Sequence, residues 1–461
     1  MTDLQKLIQT LGLTNSATLS FHHHLRNGDD VMRQVLAACS AAGLRDLHIA
    51  PSSLFPCHAS LIPFLENGTV TRITTSYMTG PLADAVRAGL LPHPVILQSH
   101  GGRAAAIASG RLPIDAAFIA APAVDGAGNL TGATGPAACG PLGYPMVDAP
   151  HARHVVAVTD NVTTDLPRIC IPGQRVHAIV ETDHIGDASQ IASGTTGRAP
   201  SPKGQAIADL TAQLIACSGL LQDGFRFQTG AGATSLAVAR DLAPIMAERN
   251  LQGAFAAGGI TGALVEMFRA GLFATLRDVQ AFDLPAVRSY AEDADHLSMS
   301  AETYASPDRP DSIAKQLDVM ILGAAEVDMN FNVNVTCASD GRIIGGSGGH
   351  ADTAAGATLP IVTTQLAAGG FPKLVQSLTC LTTPGATIGA VVTEAGIAIH
   401  PSRPELAERA RHAGLPVTTL DDLRQKAETG TNPAKNGRGT GKLVALCEAP
   451  DGQVIDEIRA L

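Results

Sequence analysis

A chain of 461 residues with 45% hydrophobic content holds enough apolar material for two or three buried cores, which excludes global disorder. The net charge of −10 comes without a basic stripe, so nucleic acid is excluded as a partner, whereas small anions, which need only a local cluster of donors, are not. No run reaches the roughly 18 apolar residues of a membrane span, the first ten residues have no apolar signal core, and eight scattered cysteines include no CxxC pair. These features predict a reduced, soluble, cytoplasmic protein with neither a disulfide framework nor a thiolate zinc site.

Along the chain, residues 17–21 predict a first strand that runs into Phe21-His22-His23-His24-Leu25-Arg26-Asn27-Gly28-Asp29. Adjacent histidines on extended backbone point to opposite faces, and their spacing lacks the logic of HExxH, so this is a poor metal site. Arg26 reads instead, with His100 and Arg103, as a clamp for carboxylates, because guanidinium forks onto two oxygens. Residues 30–42, apolar at Val31, Val35, Leu36 and Cys39, predict an amphipathic helix. Residues 236–248 predict another, which Pro244 should kink or divide. Short apolar runs at 155–158, 319–322 and 390–392 predict buried strands. The stretch 194–204, rich in Gly, Thr, Ser and Pro, marks a boundary between domains 1–200 and 201–461. Residues 430–441 read as a loop before a last strand at 443–446. Strands alternating with helices predict βαβ units, hence an α/β fold with largely parallel sheets.

One stretch is nearly written twice. Residues 79–90 recur at 261–272 with seven of twelve positions identical, and a second echo relates 114–130 to 317–333. The second half holds about 21 more residues between the echoes, which places an insertion in the polar stretch 292–312. Two duplicated domains would bring glycine-rich loops to both sides of a cleft. Four such loops stand out: Ser99-His100-Gly101-Gly102-Arg103, Gln228-Thr229-Gly230-Ala231-Gly232, Ala257-Gly258-Gly259-Ile260-Thr261-Gly262 and Gly345-Gly346-Ser347-Gly348-Gly349-His350-Ala351-Asp352. Consecutive glycines let backbone N–H groups converge, and such a nest before a helix near Asp352 suits a phosphate or an acyl-transfer oxyanion.

Other readings of these residues are weaker. Gly345 to Gly349 fits GxSxG, with Glu394 and His400 as conceivable triad partners, but four glycines around a serine satisfy that pattern cheaply. Gly346, Gly348 and Ala351 fit GxGxxA without a following ribose-binding acid. There is no GxxxxGK[ST]. Glu266 has Asp84 as its counterpart in the other repeat, which marks a solvated helix surface and not a nucleophile. No cysteine has a nucleophile's context.

At these loops the chain resembles the alpha subunit of citrate lyase, a citrate CoA-transferase of the CoA-transferase superfamily. The likeness rests on Ser20-Phe21-His22-His23, Ser52-Ser53-Leu54 with Cys57-His58-Ala59, Thr71-Arg72-Ile73, the first three glycine loops, Asp278-Val279-Gln280 with Phe282-Asp283, Phe331 to Val335, Gly348-Gly349-His350 with Asp352-Thr353-Ala354, and the segment 401–409. It runs from about residue 17 to 460. The resemblance implies two tandem CoA-transferase-like (NagB/RpiA-like) domains. It also implies transfer of the acyl-carrier thiol from acetyl-S-carrier to citrate, giving citryl-S-carrier and acetate. The implied partners are a beta subunit that cleaves the citryl thioester and a gamma subunit bearing the CoA-like phosphopantetheine arm. No cofactor is implied on this chain itself, and acetyl-CoA is an expected surrogate for the carrier. On this reading Gly348, Gly349, His350 and Asn332 are the catalytic candidates. Arg26, His23, His100 and Arg103 bind citrate, while Gly230, Gly232, Gly258, Gly259 and Ser347 hold the thioester arm.

The chain departs from the wider superfamily, many of whose members form a thioester on a loop glutamate. Here Gly259-Ile260 runs straight into Thr261-Gly262. The expected route is therefore direct transfer in a ternary complex, without a glutamyl-CoA intermediate. A CoA-transferase for citramalate, an acyl-CoA hydrolase, a non-catalytic sensor and a metal hydrolase built on His22 to His24 are the alternatives.

Overall fold

The structure, a computed structural model, describes residues 4–192, 199–433 and 437–461. Residues 194–198 of the expected boundary and 434–436 of the expected tail loop lie outside the described residues. Two nine-stranded sheets carry the fold. The first runs Ala178–Glu181, His154–Thr159, Ala116–Ala120, Thr18–Phe21, Leu47–Pro51, Val70–Thr75, Val95–Leu97, Leu443–Glu448 and Val454–Arg459, parallel throughout except for the last pair. The second runs His296–Ser298, Phe273–Ala281, Gly253–Ile260, Arg226–Thr229, Val319–Gly323, Leu359–Thr363, Ala390–Thr393, Gly396–Ile399 and Val417–Thr418. Its one antiparallel pair is the hairpin from Ala390–Thr393 to Gly396–Ile399. Ala116–Ala120 and Leu359–Thr363 are buried at every position, which is why such strands read as unbroken apolar runs. Among the described residues, no helix is long and apolar enough to cross a membrane.

Two expectations need correction. Pro244 does not divide its helix, and Ala233–Glu248 runs through it as one element. Proline deprives only the preceding turn of a donor, and the buried face of Leu236, Val238, Leu242 and Met246 packs against the helix Pro202–Cys217. The unit expected at 201–461 also fails to close on itself. Its last hairpin returns to the first sheet, where Ala445, Leu446 and Cys447 pair with Val95, Ile96 and Leu97. That hairpin covers what would otherwise be an open sheet edge.

The duplication is real, but one echo is out of register. In each sheet the first strand lies between the second and the fifth, and strands two, three and four follow outward. The echo at 114–130 and 317–333 respects this, since Ala116–Ala120 and Val319–Gly323 occupy equivalent places. The other does not: Pro81–Arg87 follows the third strand of its sheet, whereas Gly262–Arg269 follows the second. No insertion at 292–312 is needed, because His296–Ser298 and Ala301–Ala305 are the counterparts of Val95–Leu97 and His100–Ala108. The repeated letters record one way of ending a helix. Gly89 (φ 89°) and Gly271 (φ 78°) take the left-handed conformation, and the N–H groups of Leu90 and Leu272 fold back onto Ala85 (3.1 Å) and Met267 (3.0 Å).

The halves meet where those counterpart helices cross. A Cβ on Gly101 would fall 1.9 Å from the Ala305 carbonyl oxygen, so only glycine permits the approach. Beside it the buried Asp352 carboxylate accepts from Ser99 Oγ (2.6 Å) and from the Gly101 N–H (2.8 Å). Burial pushes the Asp352 pKa from 3.8 up to about 7, against the pull of those hydrogen bonds. A raised folded-state pKa contributes stability below the unfolded value that is lost as pH climbs through the folded one. Asp352→Asn should therefore gain stability relative to the parent protein between pH 4 and 7, read as the difference in denaturation midpoint at each pH. A difference constant across that range would show that Asp352 does not titrate there.

Candidate active site

A cleft of about 170 Å³ opens between the halves, lined by His100 and Tyr144 on one side and by Gln228, Gly230, Gly259, Phe282, Tyr304, Gly349 and His350 on the other. The glycines are there largely to make room. A Cβ on Gly259 would lie 2.3 Å from the Phe282 ring, and one on Gly258 (φ 98°) would lie 2.4 Å from Gln228 Nε2. One on Gly349 would lie 2.6 Å from the Tyr304 hydroxyl. The structure thus brings His100, Gly230, Gly259, Gly349 and His350 into one wall, with Gly258 directly behind.

His23 stands at the back of this wall. Its ring stacks on His100 (5.4 Å between centroids) and contacts Tyr144 (4.5 Å), while Nδ1 meets Ser52 Oγ at 2.6 Å. Its carbonyl accepts from Gln280 Nε2 of the other half (2.8 Å). Arg26, in the left-handed region at φ 52°, places its guanidinium over Phe55 (5.1 Å) and Phe282 (4.6 Å), one ring from each half. Burial, with the proximity of His100 and Arg26 acting in the same direction, drives the His23 pKa well below its ordinary value. Burial takes His100 down to about 3 and His350 to about 4. His350 is held by Thr383 Oγ1 on Nδ1 (2.8 Å) and the Gly323 carbonyl on Nε2 (2.9 Å). The site's imidazoles are neutral, and two polar atoms at the cleft, His100 Nδ1 and Gln228 Oε1, are buried without a partner among the described residues.

Other sequence candidates go elsewhere. Arg103 is not in the clamp: it is 1% exposed and inside the first half, bonded to Ser20 Oγ (2.6 Å), the Ala50 carbonyl (2.9 Å) and the Asp148 carboxylate (3.5 Å). Asn332 is a hairpin staple and not a cleft residue. Its Nδ2 donates to Asp328 (2.9 Å) and its Oδ1 accepts from the Gly385 N–H (2.8 Å). Asn129 does the same with Asp125 and Gly173 in the first half, which explains the second echo. Gly232 caps the helix Ala233–Glu248, and Gly348 bridges the halves, accepting from the His100 N–H (2.8 Å) and donating to the Ser76 carbonyl (3.0 Å). Ser347 is buried and its Oγ accepts from the Ala351 N–H (3.4 Å). Its conceivable triad partners are occupied, His400 with Ser402 and Glu394 with Lys203. His22 and His24 turn inward to Asp148 and the Ala120 carbonyl, while His23 packs behind the cleft wall on His100 and Tyr144. Glu266 is exposed on its helix.

Tyr144, Gln228, Phe282 and Tyr304 were missed as site residues. The chain has four tyrosines, and two of them line this cleft, a concentration that composition shows only once the fold is known.

Residues 1–461 match the family described as citrate lyase, alpha subunit (CitF). The chain is 41% identical over 458 residues to the citrate lyase alpha chain of Klebsiella pneumoniae, a match that covers 99% of this chain and 90% of that one. This chain belongs to the citrate lyase alpha-subunit family. It is accordingly a transferase. The alpha chain of Escherichia coli (strain K12) is 42% identical over 461 residues, with 99% and 90% covered. A crystal structure of the alpha subunit of citrate lyase from Streptococcus mutans, described as a complex with citrate, aligns with a TM-score of 0.97 at 42% identity, covering 100% of this chain and 91% of that one. The alpha subunit of a malonate decarboxylase from Acinetobacter baumannii shares the fold alone, with a TM-score of 0.67 at 16% identity over 92% of this chain and 90% of that one.

Proposed function

We propose that this chain moves the acyl-carrier thiol from an acetyl thioester to citrate, yielding citryl thioester and acetate, by direct transfer in a ternary complex. The observation that carries the proposal is the chemistry of the cleft wall. Among the described residues that line it there is no carboxylate, thiol or amine. The loop leaving the strand Gly253–Ile260 enters the helix through Thr261 and Gly262 without a glutamate.

With no nucleophile supplied by the protein, the citrate carboxylate attacks the acetyl carbonyl, a C–O bond forms, and the carrier thiolate leaves a mixed anhydride. The thiolate then attacks the citryl carbonyl of that anhydride and acetate departs. Carboxylate and thiolate are consumed and regenerated, so no net proton moves. Neutral, buried imidazoles suit such a reaction, because they position and donate without acting as acids or bases. Catalysis then rests on alignment and on stabilising developing charge. Arg26 is the citrate-facing cation, with His23 and His100 stacked beside it. The Gly230 to Gly259 wall receives the phosphopantetheine arm of a carrier subunit, and a separate lyase subunit consumes the citryl thioester.

Mass spectrometry of the chain mixed with acetyl-CoA and citrate, citramalate or neither tests this. Citryl-CoA and acetate should appear with no CoA adduct on the protein. A protein–CoA thioester would overturn direct transfer. Absence of exchange with both acetyl-CoA and the acetylated carrier would overturn the transferase reading of the cleft.

A further inference from the structure

We infer that the Tyr304 hydroxyl is a hydrogen-bond donor to the oxyanion formed at the thioester carbonyl, with Gln228 as its positioning residue. The inference rests on the transfer reaction proposed above. Glycine-loop amides are the obvious donors, but two of them are spent. The Gly348 N–H goes to Ser76 and the Gly230 N–H to the Ile321 carbonyl (both 3.0 Å). Gly349 remains, since no acceptor among the described residues takes its N–H.

Tyr304 faces that glycine. Its ring is buried, and its oxygen lies so close to Gly349 that a Cβ there would be 2.6 Å away. Gln228 Nε2 donates to this oxygen at 2.7 Å. A phenol oxygen that accepts from Gln228 keeps its own proton for another acceptor, and both Tyr304 and Gly349 line the cleft. Gln228 reaches this position because Gly258 has no side chain, and its Oε1 is left buried without a partner among the described residues. The strand Arg226–Thr229 and the helix Ala301–Ala305 thereby fix a donor on rigid elements at the place where charge develops. Burial also pushes the Tyr304 pKa upward, so the hydroxyl stays protonated.

As the citrate oxygen bonds to the thioester carbon, the carbonyl π pair moves onto oxygen, where the Tyr304 O–H and the Gly349 N–H hold it. Re-formation of the carbonyl expels the thiolate. The protons stay on their donors throughout.

Tyr304→Phe keeps the ring and removes the donor. With acetyl-CoA and citrate, kcat should fall about 100-fold, with KM for both substrates within about threefold. Affinity for S-ethyl-CoA, which has no carbonyl, should not change. Gln228→Leu should lower kcat similarly, and the double variant should lose no more than the single one, because Gln228 acts through Tyr304. A Tyr304→Phe kcat within about threefold of the parent would overturn the assignment, as would an equal loss of S-ethyl-CoA affinity. Should Tyr304→Phe fail to fold, an unchanged kcat in Gln228→Leu overturns it. A parent protein with no acyl exchange on acetyl-CoA or acetylated carrier would instead remove the transfer reaction beneath it.

Discussion

Replacing Arg103 with alanine is expected to cost the fold about 3–5 kcal/mol, the range for breaking a buried ion pair from one side. The variant would leave the fully buried Asp148 with His22 Nε2 (3.0 Å) as its one remaining charged or imidazole partner among the described residues. Burial alone would raise the Asp148 pKa, yet Arg103 and then His22 hold the carboxyl below its ordinary range. Without the guanidinium the largest of the interactions that hold the carboxyl down is lost, and the Ser20 hydroxyl and Ala50 carbonyl lose their partner as well. The measurement is a denaturation curve of the soluble protein. Arg103→Met with Asp148→Asn should recover part of the loss, because paired removal leaves no orphaned charge. An Arg103→Ala protein that melts like the parent but no longer uses citrate would return Arg103 to the substrate.

Arg26→Ala is expected to act on the substrate and not on the fold. Its guanidinium lies over Phe55 and Phe282, one ring from each half, on backbone held in the left-handed region. Non-glycine residues take that conformation at a cost, which points to a constraint beyond local propensity. Loss of a charge-assisted contact with a carboxylate is worth about 2–3 kcal/mol, so KM for citrate should rise about 30- to 150-fold. KM for the thioester should hold. Arg26→Lys should recover little, because an ammonium neither stacks between two rings nor forks onto a carboxylate. Exchange rates at varied citrate decide the matter, and an unchanged citrate dependence would remove Arg26 from the site.

Arg26 and Arg103 also show where sequence stops being legible. In the sequence each stands within a few residues of histidine and glycine and nothing local separates them, although the structure puts Arg103 in the helix His100–Ala108. One lies over Phe55 and Phe282, a ring from each half, and the other is buried inside the first half on Ser20 and Ala50, a difference made by strands that pair Thr18–Phe21 with Leu47–Pro51. Asn332 is a similar case, a polar residue in a repeated segment whose work is to staple a hairpin. Tyr304 and Gln228 are 76 positions apart and carry no shared motif, so only packing could join them.

What the sequence alone determined is what short-range physics controls. The apolar runs at 155–158 and 319–322 became buried parallel strands, the 30–42 pattern became the helix Val31–Ala41, and His22 and His24 turn inward while His23 packs on Tyr144. The glycine loops marked the cleft because close approach and left-handed backbone leave glycine little competition. The tertiary structure alone decided which half claims the last hairpin, which repeat is in register, and which polar groups face ligand and not core. Those outcomes depend on contacts between segments hundreds of residues apart, such as Ala445 to Cys447 on Val95 to Leu97 or Asp352 on Ser99. Their energies come from complementary packing of surfaces, which no window of sequence contains.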